Sequence, residues 1–346
     1  MIVEKKRLKT KFGSIEISNI ELFSKHPAGF GISPYLQEKL LYLGQEGTYQ
    51  EACEIAECLL RLRISPVQIY RLTRHYGKAI EAGLNKLVID NETIAKDPTT
   101  TSEVVYSMVD GAMILTDEGY KENKLGRLFS DQSMKVSVVE DRGGSIDNSL
   151  YTSHLGTSED FIAKLKPHMD VHKSLDDNLV FISDGAVWLR QMVEQHYPKA
   201  TMILDLYHVM EYIGTIAIAA FGKGNKAAKW IESKRELLVD SQIDMVLGAI
   251  KKLKVDPKLR KLTYSYLDSN RSRMDYKTYR KRKLLIGSGA IESAHRTVVQ
   301  KRCKRSGQRW SISGAQCVLN LRVCRMSKRW DIVKKHIEPL QLAIAA

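Results

Sequence analysis

The sequence predicts an α/β protein with a mixed sheet, flanked by helical segments. Three observations carry this. β-rich stretches follow one another closely between residues 104 and 141. From residue 158 to 205, amphipathic helices alternate with short apolar strands, the pattern of a layered α/β core. Beyond residue 207 the apolar residues keep a helical period with no further strand-like run. At 346 residues, 43% hydrophobic and 27% charged, the chain is long enough for two or three domains. That makeup excludes a disordered, collagen-like or coiled-coil chain.

Residues 1–45 carry little pattern. From Thr48 to Leu60, the residues Ala52, Ile55, Ala56, Leu59 and Leu60 recur at spacings of three and four, which predicts a helix. Ser65-Pro66 reads as the N-cap and first residue of a second helix reaching about Ala79. Ile69 and Leu72 would face inward, and Gln68, Arg71, Arg74, His75 and Lys78 outward. Two short helices about a tight turn outline a helix-turn-helix, with Arg71 and Arg74 available to DNA. A plain packing hairpin has the same outline. Asp97-Pro98 and the Thr/Ser run beside it mark a linker over 85–102.

Val104–Asp110, Lys124–Phe129 and Met134–Asp141 are strand candidates. A helix over Ser158–His168 is expected to be capped by Ser158. The apolar run Leu179–Ile182 reads as a buried strand ending in Ser183-Asp184-Gly185, followed by a helix over Ala186–His196. Thr201–Leu204 is a further strand, ending at Asp205. Residues 284–289 lead through Gly287-Ser288-Gly289 into a helix containing Glu292, and Ser311–Lys335 is helical again. The expected division is a helical DNA-binding region at 1–84, the linker, a core at 103–209, a helical insertion at 210–283, and a return to the core at 284–346.

The net charge of +14 is concentrated. Residues 271–335 hold 19 Lys+Arg against Asp275, Glu292 and Asp331, a net of +16, so the rest of the chain is slightly negative. The same segment has apolar periodicity and reads as folded, which points to nucleic-acid binding over a merely solvated face. Five cysteines are scattered with no Cys-x-x-Cys pair, so a zinc ribbon is unsupported and a reducing compartment is expected. The basic N-terminus lacks an apolar run after it, so it is not a signal peptide, and the stretch 213–221 is too short to span a bilayer. A cytoplasmic, nucleoid-associated protein with no membrane partner is expected.

Asp110 and Asp184 each fall at the end of a strand and before a glycine. Taken singly, an Asp-Gly turn or an N-cap explains either one. With Glu292 they form a set of hard oxygen donors suited to Mg²⁺ or Mn²⁺. Paired ions of this kind activate water and stabilise a leaving oxygen at a phosphodiester. The basic segment surrounds Glu292 in sequence. Asp205 and His208 read either as an N-cap with a first-turn histidine or as support for that site. His154 and His172 read as ordinary loop histidines.

These motifs, in order, resemble the DDE transposases of bacterial insertion sequences, specifically the ISKra-type family, which is related to the Mutator-like transposases. The matching residues are Val109-Asp110-Gly111, Lys124 to Phe129, Ser183 to Trp188, Ile203 to His208, Ile286 to Ala294 and Lys304 to Ser311, spanning about residues 48–333. The resemblance implies an RNase H-like core with a five-stranded mixed sheet. It implies Asp110, Asp184 and Glu292 as the catalytic and metal-binding triad with two Mg²⁺ (or Mn²⁺) ions, and Asp205 and His208 as a supporting D-x-x-H element. The 108-residue gap from Asp184 to Glu292 implies a helical insertion. Members of that family often begin with a longer N-terminal region, sometimes bearing cysteine pairs; this chain has none, so either the helix-turn-helix takes over end recognition or the chain is an incomplete copy.

The expected activity is cleavage at element ends and strand transfer into target DNA. The partners would be double-stranded DNA (terminal inverted repeats and target) and further copies of the chain in a homo-oligomer on DNA. Arg296, Lys301, Arg302, Lys304, Arg305 and Arg309 would hold phosphates. Trp310 would either stack on an unpaired base or pack as a buried aromatic. Six phosphate contacts would give a slope of roughly −5 in log K against log salt. A catalytically silent, domesticated DNA-binding regulator and an RNase H-like nuclease without strand transfer are the alternatives.

Overall fold

The computed structural model describes residues 6–10, 13–17, 32–84, 104–135, 144–171 and 178–337. The chain forms β1 (Lys6–Thr10), β2 (Gly13–Ile17), α1 (Pro34–Glu46), α2 (Tyr49–Leu60) and α3 (Pro66–Leu84). It continues with β3 (Val105–Thr116), β4 (Gly119–Ser130), β5 (Met134–Lys135), β6 (Ser145–Ile146), β7 (Leu150–Leu155), α4 (Ser158–Asp170), β8 (Leu179–Ser183), α5 (Val187–His196) and β9 (Thr201–Leu204). Then come α6 (Leu206–Phe221), α7 (Asn225–Val239), α8 (Ile243–Lys251), α9 (Pro257–Ser269), α10 (Tyr276–Lys281), α11 (Gly289–Ala294), α12 (Ile312–Met326) and α13 (Trp330–Ile337). Two compact units result, one from residues 91–112 and 122–296, the other from 1–90, 113–121 and 297–346. This division falls elsewhere than the boundaries drawn from sequence, because the helices after residue 297 share a core with α1–α3.

The first unit carries a five-stranded mixed sheet in the order β7-β4-β3-β8-β9. β4 runs antiparallel to β7, while β3, β8 and β9 are parallel. The pleat sends alternate residues to opposite faces. Val105, Val109, Leu128, Leu150, Leu179 and Phe181 pack on α4 and α5 through Phe161, Leu165, Met169, Leu189, Met192, Val193 and Tyr197. The opposite face therefore takes the intervening residues of β3 and β8, and the period carries Asp110 and Asp184 to that face. After β9 the chain makes a long helical excursion, α6 to α10, and returns where Leu206 N–H donates to the Ile286 carbonyl at 3.0 Å.

Several sequence expectations shift here. The third strand of the sheet is β7, not Met134–Asp141. Met134-Lys135 pairs instead with Ser145-Ile146 in a separate two-stranded sheet, and residues 136–141 lie outside the described residues. The linker at 85–102 also lies outside them, as does His172. α4 is capped by Thr157, whose Oγ1 accepts from Asp160 N–H, so Ser158 is its first residue and not its cap.

The second unit is helical around one core of Leu40, Leu41, Ala52, Ile69, Leu72, Tyr76, Ile80, Leu321, Ile332 and Val333. α2 starts with a full capping box: Glu51 N–H donates to Thr48 Oγ1, and the Glu51 carboxylate accepts from Thr48 N–H. Helix α1 was not expected, and α3 runs past Ala79 to Leu84. α3 and α12 approach so closely at Gly77 that a Cβ there would lie 2.5 Å from the Cys317 carbonyl oxygen. Gly77→Ala is therefore expected to destabilise the protein by about 1–2 kcal/mol, the overpacking cost exceeding the gain in helix propensity of about 1 kcal/mol. A urea melt reads this directly. Among the described residues, no helix is long and apolar enough to cross a membrane.

Candidate active site

Register brings three acids from distant parts of the chain into one row. Ser183 pairs with Leu204 across β8 and β9, and the ladder continues as Asp205 N–H donates to the Ser183 carbonyl at 2.9 Å. One step on, Asp184 stands beside Asp205. Met108 and Ile182 are the last pair between β3 and β8, and Asp110 and Asp184 each follow that pair by two residues. Neighbouring strands lie about 4.8 Å apart, and level residues of parallel strands share a face. Asp184 and Asp205 thus follow the C-terminal ends of β8 and β9, where α/β sheets carry their sites, whereas Asp110 lies midway along β3, which runs on to Thr116 beyond the end expected from sequence.

Each acid is held differently. Asp110 Oδ1 accepts from Gly111 N–H at 2.7 Å, and Oδ2 lies 3.3 Å from His295 Nε2. Burial pushes the Asp110 pKa up, but His295, Gly111 N–H and the more distant His208 outweigh it and leave the carboxyl below its usual range. Asp184 Oδ1 caps α5 by accepting from Ala186 N–H at 3.0 Å. Asp205 is buried and saturated: it accepts from Tyr207 N–H and Ser288 N–H, both at 3.0 Å, and from the Ser288 hydroxyl at 2.6 Å. It caps α6 and clamps the turn before α11, which makes it a support and leaves it no oxygen free of such bonds. The same Ser288 hydroxyl, its proton given to Asp205, lies 3.4 Å from Glu292 Oε1, which sets Glu292 beside the row. Glu292 is exposed on α11. His208 Nδ1 lies 3.4 Å from Glu211 Oε2.

Three tyrosines of the helical excursion brace the strand ends from behind. Tyr266, stacked on Tyr212 at 4.0 Å, donates its hydroxyl to the Asp184 carbonyl at 2.7 Å. Tyr276 and Tyr279 donate to the carbonyls of Leu204 and Met202. Neither these tyrosines nor His295 was singled out from sequence. His295 had one visible signal, its place three residues after Glu292. Its ring is buried beside Asp110, and among the described residues neither nitrogen meets a hydrogen-bond partner.

The donor set fits a hard divalent cation in its chemistry. Asp110, Asp184 and Glu292 offer carboxylate oxygens, no Lys or Arg pairs with them among the described residues, and neighbouring carboxylates repel one another without a cation. The side chains do not stand as a closed ligand group: among the described residues, no three His, Cys, Asp or Glu converge closely enough to hold a metal ion.

The basic segment divides. Arg296, Lys304 and Arg309 are exposed, with no acid partner among the described residues. Lys301 pairs with Glu46 at 2.7 Å. Arg305 forks onto Glu51, and chiefly that hydrogen bond holds the Glu51 carboxyl down to about 2. Arg302 corrects the sequence reading: at 2% exposed it is interior, lying over the Tyr49 and Trp310 rings and donating to the Gly44 carbonyl, so it packs instead of facing phosphate. Trp310 is also buried, at 9%, its indole N–H donating to the Cys303 carbonyl, so it has no face for a base. In the helical unit, Arg71 is exposed and Arg74 donates to Ser311 Oγ at 3.3 Å.

Fold and site together define a mixed α/β protein with acids contributed by three adjacent parallel strands or the residues that follow them. The chain belongs to UPF0236, an uncharacterised protein family, whose signature matches residues 103–334. It is similar to a Streptococcus gallolyticus protein described as "UPF0236 protein in vanSb 3'region", at 25% identity over 320 residues, covering 89% of this chain and 67% of that relative.

Proposed function

We propose that the chain is a DDE-type transposase that cuts DNA at the ends of an insertion sequence and joins them to target DNA. The observation that carries this reading is the acid row: Asp110 and Asp184 each two residues past the last pair of the parallel β3–β8 ladder, with Glu292 3.4 Å from the Ser288 hydroxyl that Asp205 holds. The strand order, with an antiparallel β4 beside parallel β3, β8 and β9, supports an RNase H-like core interrupted by a helical insertion. The α2–α3 pair supports a helix-turn-helix.

In this reading Asp110, Asp184 and Glu292 would hold two Mg²⁺ or Mn²⁺ ions. Bound there, such ions supply Lewis-acid stabilisation of a phosphodiester and a water of lowered pKa. Asp205 fixes the spacing between the sheet and α11, and His295 packs against Asp110 to orient its carboxylate. Arg296, Lys304, Arg309 and Arg71 hold phosphates. The partners are element ends, target DNA and further copies of the chain, which places the protein at the nucleoid.

The test incubates the full chain with DNA carrying candidate element ends and Mg²⁺, then sequences the products. Ends joined to new DNA are expected. Cut but unjoined ends would mean a nuclease without transfer. DNA bound but intact in both Mg²⁺ and Mn²⁺ would leave only a silent DNA-binding regulator. Salt dependence checks the interface separately. With four exposed cations in place of the six expected from sequence, the slope of log K against log salt should be roughly −3.6. A slope near zero would make the basic segment a solvated face.

A further inference from the structure

Arg127 lies within the Lys124–Phe129 motif and has no part in the mechanism above. It is 6% exposed, and no carboxylate pairs with it among the described residues. Its guanidinium lies 5.5 Å from the Phe129 ring and 5.4 Å from that of Tyr151. Nε donates to Ser149 Oγ at 2.9 Å, and Nη1 donates to the Ala290 carbonyl at 2.7 Å. A buried cation held only by neutral groups is a costly way to fill space, and an apolar side chain of similar length would pack at lower cost.

Its directional bond suggests what the cation does. Ala290 is in the first turn of α11, two residues before Glu292. α11 opens a helical run that continues through the π-helical stretch His295–Gln300 to Cys303, and its first turn is the free end of that run. Ser288 gives it no side-chain cap, because its hydroxyl is turned to Asp205. Two contacts hold this N-terminal end: Asp205 holds the turn before the helix, and Arg127 holds its first turn.

We propose that Arg127 is a positioning residue that fixes α11 through the Ala290 carbonyl and so holds Glu292 against the acid row. The role of Glu292 rests on the transposase reading, whereas the anchoring of α11 does not.

The experiment measures amide hydrogen exchange across the full-length chain, without DNA, in wild type, Arg127→Met, Arg127→Lys and Glu292→Gln. Arg127→Met should speed exchange in residues 286–295 roughly tenfold or more while β3, β4 and β8 stay protected. Arg127→Lys, which keeps one donor for Ala290, should give a smaller change, and Glu292→Gln none. In the cleavage assay, Arg127→Met should lower kcat with little change in KM, and should add no further loss on top of Glu292→Gln. Unchanged exchange in 286–295 overturns the proposal. So does a rise spread evenly over the sheet, which would make Arg127 simply part of the core. If Arg127→Met does not fold, Arg127→Lys decides by the same criterion. Should α11 loosen as expected while wild type leaves DNA intact, the anchor stands and the transposase reading falls.

Discussion

Replacing Asp184 by Asn is expected to lower Mg²⁺-dependent cleavage of element-end DNA by roughly 10³-fold or more, about 4 kcal/mol of transition-state stabilisation, with the fold kept. The substitution is nearly isosteric, and an amide oxygen can still accept the 3.0 Å bond from Ala186 N–H that caps α5. The Tyr266 bond is to the Asp184 backbone and is untouched. What disappears is one negative charge at the centre of the row. A gel assay of end cleavage, with a thermal melt beside it, separates lost chemistry from lost structure. An Asp184→Asn variant that melts as wild type and still cuts would remove Asp184 from the catalytic set.

Arg322→Ala is expected to cost about 3–5 kcal/mol of stability, the scale for breaking a buried charged network. Arg322 is 1% exposed. Nε donates to the Val298 carbonyl at 2.6 Å and Nη2 to the Thr297 carbonyl. Nη1 donates to the Gln45 carbonyl at 2.7 Å and to Gln45 Oε1 at 3.1 Å, with Glu46 Oε1 at 3.3 Å. Val298 and Thr297 lie in a π-helical stretch, His295–Gln300. There the widened turn leaves carbonyls for a side chain to satisfy. Truncation strands those carbonyls and opens a cavity. Arg322→Met, which refills much of the volume, should lose less. Urea denaturation of the two variants decides, and a loss below about 1 kcal/mol for the alanine would mean that the network relaxes onto other partners.

The acids of the row were legible because each sits where a short apolar run meets a glycine or a helix start, as in Leu179–Ser183 before Asp184-Gly185. That they come together was not, since register is set by pairing between strands dozens of residues apart. β7 escaped notice because Thr152, Ser153 and His154 break its apolar pattern. Thr152 and Ser153 are buried, and Ser153 is accommodated by its hydroxyl donating to Asn123 Oδ1 at 2.8 Å. The Ser-Pro signal that marked α3 recurs at Ser33-Pro34 before α1, where nearby glycines masked it. The inward turns of Arg302, Arg322 and Arg127 left no trace in sequence. A local pattern counts their charge toward a binding surface, and only the tertiary structure moves it inside. The basic segment's charge was correctly located, and its availability was overstated.

The meeting of Leu206 N–H with the Ile286 carbonyl has an evolutionary consequence. The excursion between them leaves and re-enters the fold at one point, so doubling its length would add only about 0.6 kcal/mol of closure cost. Descendant lineages therefore have wide latitude to lengthen, trim or exchange these helices. The latitude ends at three hydroxyls, those of Tyr266, Tyr276 and Tyr279, which reach back to the strand ends. Divergence should run freely between those tyrosines and stall at them.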